Sequence, residues 1–105
     1  MTTMKKVNIP NLKQKLEHIG MKTTLFDDME HDNYKNLVCQ SAYEIETKNP
    51  VSYQEKIEKT LIEEGFTITK DGFAGIDTNH SDVYHTVFIE NTGTGFFVTT
   101  EINFI

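Results

Sequence analysis

The stretch VYHTVFIENTGTGFFVTTEINF (residues 83–104) decides the fold. Two apolar runs flank the turn-forming segment Asn91-Thr-Gly-Thr-Gly95, which reads as a β-hairpin. Its register sets what each face carries, because a slip of one residue exchanges the faces. With a four-residue loop at Thr92–Gly95, Asn91 stands opposite Phe96. Val83, His85, Val87 and Ile89 then share a face with Phe96, Val98, Thr100, Ile102 and Phe104. That set is apolar and should meet a core. The other face carries Tyr84, Thr86, Phe88 and Glu90 with Phe97, Thr99, Glu101 and Asn103. A five-residue loop would mix the sets and put charge on both faces, so the four-residue loop is preferred.

Upstream of the hairpin, FTITK-Asp71-Gly72-FAGID reads as a second hairpin, since Asp-Gly suits a type I′ turn. A helix is expected over 52–64. Ser52 and Glu55 have capping-box spacing, Ile57, Leu61 and Ile62 form an apolar stripe, and Gly65 ends it. Lys48-Asn49-Pro50 breaks the chain before this helix. Residues 36–46 alternate: Leu37, Cys39, Ser41, Tyr43 and Ile45 fall on one side, and Val38, Gln40, Ala42, Glu44 and Glu46 on the other. Period two argues for a strand, although SAYEIE carries no breaker and a helix competes. A first helix over 10–19 follows from Pro10, from Leu12, Leu16 and Ile19 at helical spacing, and from Gly20 as its stop. A short strand over 21–26 comes next.

The segments 12–28 and 57–72 resemble each other, each reading helix, Gly, bulky apolar residue, Thr-rich strand and acidic turn. They represent either a repeated unit or the general way a helix packs on a following strand. The resulting class is α+β, two helices on an antiparallel sheet in the order αββ-αββββ. The length of 105 residues sets one domain, 1–105, with residues 1–9 as a candidate mobile basic arm.

All ten basic residues are lysines, so no bidentate guanidinium clamp or arginine finger is available. Arginine's absence beside abundant Lys, Ile and Asn fits AT-rich coding, as in a low-GC bacterium or its mobile elements. The formal net charge of −6 is unevenly spread: residues 1–26 carry a local excess of lysine, and no lysine follows Lys70. A carboxy-terminal third without cations cannot neutralise phosphates, so direct binding to nucleic acid is not expected. The same surface steers towards a basic protein. No apolar run approaches the roughly 18 residues of a membrane span, and no secretory signal is read at the N-terminus. One cysteine supplies neither a disulfide framework nor a multi-thiolate zinc site. The expected location is the cytoplasm, in a bacterial cell.

Candidate chemistry is sparse. Asp28, Glu30 and Asp32 have the opening spacing of a calcium loop, but Asn33 replaces the required Gly and Cys39 the terminal Glu. The loop beginning at Asp77 fails similarly, with Phe88 at its twelfth position. His80 and His85 with Asp82 have the residue types of a metal or acid–base cluster, but His80 falls in a loop and His85 points inward. The expectation for His85 is a core histidine bonded to a neighbour. Cys39 lacks any flanking group that would lower its pKa. Gly93-Thr-Gly95 lacks the following helix of a phosphate cradle. No catalytic residue, metal or cofactor is therefore expected.

The expectation is a small acidic, non-enzymatic protein that inhibits a basic nuclease or nucleic-acid-binding enzyme by occupying its functional surface. Phage anti-defence proteins and toxin-immunity proteins work in this way. Its contact residues would be Tyr84, Phe88, Glu90, Phe97 and Glu101, with Asp27, Asp28, Glu30 and Asp32 from the acidic turn. Two alternatives stand beside it. One is a homodimeric regulatory subunit pairing through the last strand, which lacks the Lys and Pro that protect edges. The other is a small-molecule-binding α+β domain.

Overall fold

The computed structural model describes residues 6–28 and 38–105. The elements are α1 (Ile9–His18), β1 (Lys22–Asp28), β2 (Val38–Glu46), α2 (Pro50–Glu63), β3 (Thr67–Ile68), β4 (Ala74–Asp77), β5 (Val83–Asn91) and β6 (Gly95–Phe104). They form the α+β class with the expected order. All six strands join one antiparallel sheet ordered β1-β2-β6-β5-β4-β3. The two helices bury Leu12, Leu16, Tyr53, Ile57 and Leu61 against Tyr43, Val87, Ile89, Phe96 and Val98 of the sheet. Residues 36–46 resolve as a strand where described, with Ser41 and Tyr43 buried and Gln40, Glu44 and Glu46 exposed.

Each helix ends by the same device. Gly20 and Gly65 have φ of +106° and +115°, where a Cβ would be strained. Leu16 O accepts from Met21 N, and Leu61 O from Phe66 N, each at 3.0 Å. Met21 and Phe66 are both buried, which supplies the hydrophobic contact of a Schellman motif. The resemblance between 12–28 and 57–72 is thus carried by two helix–Schellman–strand units. They deliver β1 and β3 to opposite edges of the sheet.

The last hairpin has the expected register, with Asn91 opposite Phe96 and Val83 opposite Phe104. Its turn is held by Thr92 N donating to Gly95 O at 2.9 Å and by Gly93 at φ +89°. Phe104 is the exception on the inner face, being more than half exposed.

Several expectations are corrected. Strand β6 lies between β2 and β5, so over Phe96–Glu101 it has partners on both sides and no free edge for a second copy. Helix α2 begins at Pro50, two residues earlier than expected. This makes Ser52 the third helical residue rather than a cap, and Asn49 holds the cap position without a side-chain bond. The buried stripe is Tyr53, Ile57 and Leu61, whereas Ile62 is exposed. The Asp71-Gly72 turn is not type I′, because only Gly72 has positive φ. Instead, Asp71 Oδ1 accepts from Phe73 N and Thr69 Oγ1, and those bonds hold its carboxyl below the usual carboxylate range. Finally, the 1–9 segment is not an arm throughout: Val7 and Ile9 are buried in the core.

Candidate functional site

Both helices lie on one side of the sheet, and cross-strand pairing maps the other side row by row. One row runs Lys22, Glu44, Phe97, Glu90. The next runs Leu25, Ala42, Thr99, Phe88, Ala74. The third runs Asp27, Gln40, Glu101, Thr86, Ile76. Tyr84 pairs with Asn103 beyond these rows. An apolar middle row is therefore bracketed by two rows bearing acids. Period-two alternation produces this arrangement, and the bulge at Thr24 keeps Leu25 in step with Ala42.

The side is open rather than sealed. Phe88 is 53% exposed, Leu25 and Ile76 are also exposed, and Tyr84 and Phe97 are half-buried. Asp27, Glu44, Glu46, Glu90 and Glu101 are all exposed on it, against Lys22 as the one lysine among the described residues of those rows. The helices differ, since together they carry four lysines and four glutamates. The acidic excess is thus concentrated on the uncovered sheet. A groove of about 260 Å³ crosses this side, with Leu25 and Phe88 as walls, Ala42 and Thr99 in its floor, and Glu101 alongside. A second hollow of about 490 Å³ opens near the hairpin loop, where Glu44, Glu46 and Glu90 gather around Phe97.

Of the residues expected at a partner contact, Tyr84, Phe88, Glu90, Phe97 and Glu101 share this face, and Asp27 joins them from β1. Asp28 ends β1. Glu30 and Asp32 lie outside the described residues. Glu44, Glu46 and Leu25 were not among the expected contacts. Alternation in 36–46 already put the two glutamates on one side, but local pattern does not show that β2 lies beside β6.

A second cluster lies on the inner side of the sheet. Asp77 at the end of β4 stands opposite His85 of β5. Asp77 Oδ2 is 3.3 Å from His85 Nδ1 and 3.1 Å from His80 Nε2. Val7 N approaches the same oxygen at 3.4 Å, and Asn79 N donates to Oδ1 at 3.0 Å. The imidazole rings are 4.8 Å apart. Asp77 and His85 are buried, and the His80 side chain is 15% exposed. Burial pushes the His85 pKa down to about 4, helped by the neighbouring His80 and opposed by Asp77. His85 is the bonded core histidine expected, yet His80 does converge on it. The carboxylate that completes the group is Asp77 and not Asp82. Alternation along Ala74–Asp77 turns Gly75 and Asp77 inward.

No protein-family model, curated protein or solved structure matches the chain. Among the described residues, no helix is long and apolar enough to cross a membrane.

Proposed function

We infer that this chain is a small acidic binding protein that inhibits a basic, nucleic-acid-processing protein by covering its functional surface. The observation that carries the reading is the uncovered sheet face, where an apolar row is bracketed by exposed carboxylates. Isolated exposed aromatics need no explanation, but an apolar row flanked by charge of one sign is suited to a partner. The groove between Leu25 and Phe88 takes the aliphatic stem of a lysine or arginine, whose charged end then meets Glu101. Acids at both margins raise the encounter rate with a cationic surface, and the aromatic contacts slow release. The partner class is a nuclease or another enzyme whose phosphate-binding surface is rich in Lys and Arg. A phage protein disarming a bacterial defence nuclease and an immunity protein disarming a nuclease toxin are the two settings that call for such an inhibitor.

The test compares the wild-type chain with the triple variant Phe88→Ala, Phe97→Ala, Glu101→Lys as bait in a low-GC bacterial lysate, at low and high salt. The reading expects a basic nucleic-acid-processing protein that the wild type retains and inhibits. Retention should fall steeply with salt and vanish in the triple variant. Equal retention of that protein by wild type and variant would place the contact elsewhere.

A further inference from the structure

We propose that Asp77, His80 and His85 form a binding site for one divalent transition-metal ion of zinc type. This goes beyond the binding-protein reading and does not depend on it. Two imidazoles and one carboxylate are a donor set that such ions take readily, with the remaining position left to water. One ligand atom from each of the three residues lies within 4.8 Å of the others. Donors bound at about 2.0–2.1 Å around a tetrahedral ion stand roughly 3.3 Å apart. The carboxylate oxygen lies 3.1 and 3.3 Å from the two ring nitrogens.

Hydrogen bonding leaves part of this cluster unexplained. His80 Nε2 is close to Asp77 Oδ2 but is not aligned to donate to it, and His80 Nε2 and His85 Nε2 are both buried without a hydrogen-bond partner. His85 Nδ1 is hydrogen-bonded to Oδ2, so the unexplained approach is that of His80 Nε2, and an ion beside that oxygen would meet both ring nitrogens. Charge leads the same way. Asp77 is fully buried, and among the described residues its ionic partners are these two histidines rather than a lysine. A buried carboxylate needs a countercharge. A divalent ion supplies that charge.

Supporting contacts hold the ligand set in position. Asn79 N on Oδ1 fixes the carboxylate plane, as the outer shell of a metal site does. His80, the one ligand side chain with solvent contact, marks the route of approach. A bound ion would join the end of β4, the loop after it and β5, beside the contact with Val7. Its role there is to fasten the sheet to the amino-terminal segment.

The experiment uses the full chain, stripped with EDTA and titrated with zinc chloride by calorimetry, with cobalt(II) chloride as a spectroscopic probe. The proposal expects one equivalent of zinc, a raised melting temperature, and visible cobalt bands of a low-coordinate site. His80→Gln, in a loop and partly exposed, should keep the fold and lose at least about tenfold in zinc affinity. His18→Gln, on α1, should bind as the wild type does. Absence of zinc binding to the stripped wild type would overturn the proposal, and so would His80→Gln binding zinc as tightly as wild type.

Discussion

Replacing Gly95 with alanine tests the sheet order that creates the open face. Gly95 begins β6 opposite Glu46 of β2. Its φ is not positive, so conformational freedom is not what the position requires. The requirement is space: a Cβ would overlap the Ile45 carbonyl oxygen and stand 2.8 Å from Glu46 Cα. Both obstacles are backbone, so no rotamer change makes room. β2 would have to back away from β6, straining the bond from Thr47 N to Thr94 O, 2.9 Å long. Overpacking costs about 1–3 kcal/mol and each lost hydrogen bond about 1 kcal/mol, which together give about 3 kcal/mol. At about 4–8 °C per kcal/mol for a domain near this size, melting should fall by on the order of 15 °C. Gly93→Ala is the control. Gly93 has φ +89° but open space around its Cβ direction, so it should lose only the roughly 1–2 kcal/mol of a left-handed alanine. Urea unfolding and calorimetry of both variants measure the difference. A Gly95→Ala variant no less stable than Gly93→Ala would refute the close β2–β6 approach.

Leu16→Ala, at a fully buried position, should cost about 2–5 kcal/mol in urea unfolding. Ile62→Ala, at a position 55% exposed, should stay within about 1 kcal/mol. Phe88→Ala should leave the melting temperature nearly unchanged while removing partner retention, and a collapse of the fold would show that the ring belongs to the core. For metal-stripped protein, the His85 pKa of about 4 lies below the unfolded value of about 6.5. The unfolded chain therefore binds the proton first as pH drops. Stability should be full above pH 6.5 and decline towards pH 4 by up to about 3 kcal/mol, a trend that His85→Gln should lessen. A urea midpoint that is constant across that window would contradict the buried, neutral imidazole.

The last hairpin was legible because only one register separates its apolar side from Glu90 and Glu101. Helix ends were legible at Gly20 and Gly65, where positive φ leaves a direct sequence mark. Helix starts were less so. Ser52 and Glu55 have capping spacing, but Pro50 can begin the helix itself and does. Ile62 follows Leu61 and looks equally apolar, yet Tyr53, Ile57 and Leu61 already span the helix contact. The placement of β2 beside β6 is a long-range pairing with no local signal, so the broadening of the acidic face by Glu44 and Glu46 was hidden. Asp77 was hidden for a related reason. In a polar run ending at Asp82 it resembles a solvated turn residue, and only pairing with His85 reveals that it turns inward.

The central claim is that the uncovered sheet face is the contact surface for a cationic protein. The most direct measurement is the affinity of the purified, captured partner for wild type and for the Phe88→Ala, Phe97→Ala, Glu101→Lys variant, by calorimetry at low and high salt. The account predicts that the wild type binds with strong salt dependence and that the equally folded variant loses at least about 100-fold in affinity, as expected when central aromatic contacts are removed. A variant that binds as tightly as wild type, with the same response to salt, would contradict it.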